Sequence, residues 1–142
     1  MPTEAFQQKL HEFFTVTFEA HRAEYLPLST VPEIDYLDTS NQHVEGMTAF
    51  AYYFKEGDDL IYYSGDLGNV DTTLGFLAGR TEKNITVFHD VHRALDMKSH
   101  ASYKDAQEKL QQYNVYGYHC AKETMPDDCK LKLVEDYPEF LC

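Results

Sequence analysis

Apolar and aromatic residues between Met47 and Tyr63 fall into two runs broken by one polar turn. Met47-Thr48-Ala49-Phe50-Ala51-Tyr52-Tyr53-Phe54 reads as a strand, Lys55-Glu56-Gly57-Asp58 as a turn, and Asp59-Leu60-Ile61-Tyr62-Tyr63 as a second strand. Together they predict a β-hairpin with a glycine in its loop. The second run continues into Ser64-Gly65-Asp66-Leu67-Gly68-Asn69. Val70, Leu74 and Leu77 then recur at helical spacing, with Gly79 just past the end. Ile85-Thr86-Val87-Phe88 is a short apolar strand that ends in His89-Asp90-Val91-His92. Ser102 caps a further helix whose apolar face is Tyr103, Ala106 and Leu110. Val115-Tyr116-Gly117-Tyr118 is another strand, ending in His119-Cys120.

The flanks are weaker. Thr3 can cap a helix over about residues 4–14, with Phe6, Leu10, Phe13 and Phe14 on one face. Thr15 to Phe18 reads as a strand. An irregular stretch holding Pro27 and Pro32 leads to a short strand near Ile34-Asp35-Tyr36. The tail carries Leu131, Leu133, Tyr137, Phe140 and Leu141, enough to dock on a core.

Strands alternating with helices predict an α/β fold, with a sheet covered on at least one face. There is no internal repeat and no interdomain linker, so residues 1–142 are read as one domain. In such folds chemistry sits just beyond strand ends. Asp66, His89, Asp90 and His119 all fall there.

Composition narrows the function. Hydrophobic residues make up 43% and charged residues 25%, sufficient for a packed core. The formal net charge of −12 opposes polyphosphates and anionic membranes at long range, so binding of long nucleic acid is disfavoured. Bound divalent cations would reverse that sign locally. Cys120, Cys129 and Cys142 give an odd count with no CxxC, which is read as free thiols in a reducing, cytoplasmic setting. No apolar run is long enough to span a bilayer, and the first residues lack the features of a signal peptide.

His43, Asp66, His100 and His119 are the candidate chemistry. Imidazole and carboxylate are ligands that Zn²⁺ prefers. They lie far apart in sequence, so only the fold can unite them. Taken singly, each histidine reads as a surface or hydrogen-bonded residue, and Asp66 as a turn residue. Cys120 reads as a small buried side chain, and the paired tyrosines 52–53 and 62–63 as strand packing.

In combination they resemble the metallo-β-lactamase superfamily. There a ligand histidine precedes a hairpin whose second strand ends in a Gly-Asp-Thr-Gly-like corner, as His43 precedes Ser64-Gly65-Asp66-Leu67-Gly68 here. Val87-Phe88-His89-Asp90 resembles the next strand of the ribonuclease Z-like branch, which often reads His-Glu-Ala-Thr. Ser99-His100-Ala101-Ser102 resembles its His-Ser-Thr motif, and Tyr116-Gly117-Tyr118-His119 its last ligand motif. These matches keep the family's order over about residues 33–125.

The resemblance implies an α/β half of the family's αββα sandwich. It implies that His43 and His119 each ligate a metal, that Asp66 bridges, and that His100 acts as general acid or phosphate contact, oriented by Asp90. The metal is expected to be zinc, with iron or manganese as alternatives. Asp90 stands where the family often has Glu, one methylene longer. Leu67 replaces a Thr.

The family's His-x-His-x-Asp-His motif is absent from this sequence. The chain thus resembles only the C-terminal half of a metal-dependent hydrolase acting on a small ester, amide or phosphodiester. The missing N-terminal half or a second copy would complete it. The alternatives are a non-catalytic binding module or inactive remnant with the same half-fold, and an unrelated small α/β domain. The half-fold reading also expects an uncovered apolar sheet face.

Overall fold

The computed structural model describes residues 34–140. The helix and strand expected over residues 4–18 and the thiol of Cys142 lie outside them. Six strands form one mixed sheet in the order β1-β2-β3-β4-β5-β6. These are β1 (Ile34–Asp38), β2 (Phe50–Glu56), β3 (Asp59–Tyr63), β4 (Asn84–Asp90), β5 (Asn114–Tyr118) and β6 (Lys132–Leu133). The first three strands pair antiparallel, and β3 through β6 pair parallel. Helix α1 (Asp71–Ala78) connects β3 to β4, and α2 (Tyr103–Lys109) connects β4 to β5. The fold is α/β, as the alternation of periods predicts.

Side chains alternate between the two faces of each strand. Ala51, Leu60, Tyr62, Val87 and Val115 share one core with Val70 and Leu77 of the α1 region, and with Tyr103, Ala106 and Leu110 of the α2 region. Tyr52, Phe54, Ile61, Phe88 and Tyr116 form the second core, on the other face. Tyr137 and Phe140 pack against it. Burying each such side chain contributes about 1.5–3 kcal/mol. Among the described residues the uncovered face expected from the half-fold reading is not found, since Tyr52, Phe54, Ile61 and Phe88 are all buried, which is what the alternative of an unrelated small α/β domain expects.

Three boundaries differ from the sequence pattern. Strand β2 begins at Phe50 rather than Met47, because Ala49 is tied back to Thr39 and Ser40 in a loop. Strand β4 runs on through His89 and Asp90, whose partners on β5 are Gly117 and Tyr118. Parallel pairing on both sides extends it past its apolar stretch. Strand β6 was not foreseen, since two residues carry no periodicity.

The parallel register places the C-terminal ends of β3, β4 and β5 at one end of the sheet. The antiparallel β2 starts there too, so the loop before it, holding His43, reaches the same end. Among the described residues no helix is long and apolar enough to cross a membrane.

Candidate metal centre

Four segments meet at this end of the sheet, and Gly68 is where their backbones touch. A Cβ built on Gly68 would stand 2.0 Å from the Lys98 carbonyl oxygen and 2.7 Å from that of Gln42. The Gly68 amide donates to the Gln42 carbonyl at 2.9 Å. Glycine is therefore required for the loop carrying His43 and the loop carrying His100 to close on the Asp66 corner. Gly65, at φ +61°, makes the preceding turn in the left-handed region.

Buried Ser64 joins the ends of β3 and β4. Its amide donates to the Phe88 carbonyl at 2.9 Å, and its Oγ accepts from the Asp90 amide at 2.9 Å. The Tyr118 hydroxyl lies 3.0 Å from the same Oγ and also donates to the Gly65 carbonyl. Burial drives the Tyr118 hydroxyl well above the ordinary phenol range, so it stays protonated as a structural donor. Neither Ser64 nor Tyr118 was singled out in the sequence. Their signal is only that each sits beside a candidate ligand at a strand end.

Asp90 is fully buried. His100 Nδ1 lies 2.6 Å from Asp90 Oδ2, and His119 Nδ1 lies 3.2 Å from Oδ1. The Asp66 side chain is 37% exposed and faces two imidazoles instead. Its Oδ1 is 3.4 Å from His119 Nδ1, and its Oδ2 is 4.0 Å from His43 Nε2. All five predicted residues (His43, Asp66, Asp90, His100 and His119) thus stand in one cluster. Within it, Asp90, His100 and His119 place their ligand atoms within 4.8 Å of one another.

The hydrogen bonds select tautomers. His43 Nδ1 lies 3.4 Å from the Ser99 carbonyl, which can only accept, so in the neutral ring Nδ1 carries the proton and Nε2 the lone pair. That lone pair faces a carboxylate oxygen, an arrangement a cation stabilises. His100 Nδ1–H donates to Asp90, leaving its own Nε2 bare. His119 is the one non-glycine residue at positive φ (69°) among the described residues, although its side chain is half exposed. Such a conformation costs about 1–2 kcal/mol. It accompanies a ring placed 3.2 Å from Asp90 Oδ1 and 3.4 Å from Asp66 Oδ1. The hydrogen bond to Asp90 raises the His119 pKa against opposing burial, and the charges of Asp90 and Asp66 add to the rise.

One further histidine was not singled out. The His92 ring lies 6.1 Å from that of His100, centroid to centroid, with the planes inclined by 26°. His89, by contrast, belongs to the core. It is fully buried, its Nδ1 donates to the Asp90 carbonyl at 2.8 Å, and its Nε2 contacts Thr73 Oγ1 at 2.9 Å.

No family model, curated protein or solved structure matches this chain.

Proposed function

We propose that this chain is a half-site of a metal-dependent hydrolase of the metallo-β-lactamase type, built as the C-terminal half of that αββα sandwich. His43, Asp66 and His119 hold a divalent ion, zinc being the best fit to two imidazoles and a carboxylate. One observation carries the reading. Asp66 Oδ2 faces the bare His43 Nε2 at 4.0 Å, and Asp66 Oδ1 lies 3.4 Å from His119 Nδ1, which would exchange its hydrogen bond to Asp90 for the ion. Two ligands of one tetrahedral ion are ~3.4 Å apart when each bond is ~2.1 Å. The 2.6 Å contact between His100 and Asp90 is shorter than that and is a hydrogen bond.

A bound ion supplies Lewis-acid polarisation of the scissile group and lowers the pKa of water. The protein's own residues do the rest. Asp90 fixes the His100 ring through Nδ1–H. His100 can then take or return a proton at Nε2 beside the leaving oxygen. Small phosphodiesters or esters are the substrates the acidic surface permits. The ligands that the absent His-x-His-x-Asp-His motif would supply come, on this reading, from a separate half or a second copy.

A second arrangement, with Asp90, His100 and His119 as the ligands, draws on their mutual 4.8 Å limit. Zinc titration separates the two. Asp66→Ala should abolish uptake, while His100→Ala should keep most of it. The reverse pattern would favour the second arrangement. No uptake by the wild type would leave a non-catalytic binding module.

A further inference from the structure

Tyr52, Phe54 and Ile61 are only 2%, 6% and 1% exposed, on the sheet face opposite α1 and α2. Neighbouring strands cannot bury a sheet face by themselves. They lie ~4.8 Å apart side by side, and a face is closed only by a layer stacked ~10 Å above it. Among the described residues, the apolar side chains packing on this face from outside the six strands are Val134, Tyr137 and Phe140. The two rings stand against β4 and β5. Phe140 lies 5.4 Å from Phe88 and 5.0 Å from Tyr116, and Tyr137 lies 5.0 Å from Tyr116, centroid to centroid. Ile61 and Phe54 are cross-strand partners on β3 and β2, one and two strands further along the sheet from β4. Their burial is that of a single chain.

The described chain begins at Ile34, which is itself buried in the same cluster. Residues 1–33 therefore join the sheet at the edge of this very face. They contain one stripe suited to it: Phe6, Leu10, Phe13 and Phe14, spaced for one side of a helix over about residues 4–14. A helix of that length is ~16 Å long, enough to cross three strands at ~4.8 Å spacing. The chain from Phe14 to Ile34 can extend ~66 Å at ~3.3 Å per residue, so reach sets no limit. An apolar stripe and an apolar sheet face are each stabilised by covering the other.

We propose that the stripe of Phe6, Leu10, Phe13 and Phe14 docks on Tyr52, Phe54 and Ile61 and closes the second face of the sheet over β1 to β3. The consequence for a partner rests on the half-sandwich reading above. On that reading the other half would stack on this face, because α1 and α2 take the opposite one. The chain's own N-terminal segment then holds the place of the partner sheet. A protein completing the metal centre must approach at the strand ends, or displace the segment.

NOE spectroscopy on the full, metal-free wild-type chain tests the docking. Cross-peaks from the Leu10 methyls and the Phe13 ring to the Ile61 methyls are expected. Contacts to Ile61 from residues 15–33, with none from the stripe, would overturn it. So would contacts from a second copy in a half-labelled sample. Leu10→Asp combined with Phe13→Asp gives a second readout in the full chain. Binding of a dye specific for exposed apolar surface should rise about threefold or more, while the ¹H–¹⁵N signals of α2 and β5 stay in place. Dye binding equal to wild type would contradict the docking. Should the variant unfold, the wild-type cross-peaks still decide. Zinc titration is a separate arm: no uptake would sink the hydrolase reading and leave the docking intact, and missing cross-peaks would do the reverse.

Discussion

Asp66 and Asp90 close adjacent parallel strands, yet they are opposite in character. Asp90 is buried and its oxygens are engaged by His100 and His119. Asp66 is partly exposed, and its oxygens face imidazoles at longer range. The difference comes from the backbone. Asp90 is still within β4 and is anchored by Ser64, whereas Asp66 directly follows the left-handed Gly65. A buried carboxylate with its hydrogen bonds made is a fixed part that orients others. A carboxylate at a turn, facing two imidazoles, keeps capacity for a cation. On the proposed reading one acid aims the histidines and the other binds the ion.

The sharpest way to break that contrast is to remove each acid separately. Asp66→Ala should lower zinc affinity by more than about 100-fold, beyond the ~10–100-fold typical of outer partners. It should leave the metal-free fold within about 1 kcal/mol of wild type. Asp90→Ala should do the converse, destabilising the metal-free fold by about 2–4 kcal/mol through the unpaired buried groups it leaves. Chemical denaturation and zinc titration of both variants decide it. If the two behave alike, the division of labour is wrong.

Gly68→Ala sharpens the comparison from the other side. Its Cβ would meet two backbone carbonyls, so a loss of about 3 kcal/mol or more is expected, with the His43 and His100 loops displaced. Denaturation melts and the histidine ring NMR signals would report it. Ser64→Ala should cost about 1–2 kcal/mol by leaving the Asp90 amide unpaired, and should weaken zinc only indirectly.

Much of the fold was legible because its strands and helices announce themselves by period. The hairpin, α1 with its Gly79 stop and α2 with its Ser102 cap all lie where the pattern puts them. Ser102 accepts from the Asp105 amide at 3.1 Å, as a capping residue should. What stayed hidden depends on pairing across the sheet. Strand β6 exists only because β5 offers a parallel edge, and β4 keeps polar His89 and Asp90 because neighbours satisfy their backbones. The five candidate residues were picked by motif order, and the resemblance already assigned Asp66 to the metal and Asp90 to orienting His100. The distances between them were not legible, since only the fold sets them. His92 was set aside because it follows Asp66 in a stretch already matched to another element, and spacing does not reveal that the Ala94 amide occupies its Nδ1.

Smaller effects concern pH. Burial pushes the His89 imidazole below its ordinary range. The unfolded chain then takes up a proton below pH ~6.5 that the folded chain refuses, so stability falls as pH drops through that point. His89→Asn should be less stable at pH 7 yet lose less between pH 6.5 and 5. An unchanged slope would exclude this histidine as the cause. At the far side of the sheet, the Arg80 guanidinium pulls Glu82 down to about 2. That contribution is present above the unfolded value near 4.5 and is lost as pH falls toward 2. Glu82→Gln should cost about 0.5 kcal/mol at neutral pH, with the gap closing in acid, as urea titrations at stepped pH would show.

The most direct measurement is metal per chain, by elemental analysis of protein purified without added metal or chelator, on wild type beside Asp66→Ala. About one zinc, iron or manganese per wild-type chain and none in the variant is the result expected for a site at His43, Asp66 and His119. Equal content in both, or none in the wild type even after titration, would contradict it.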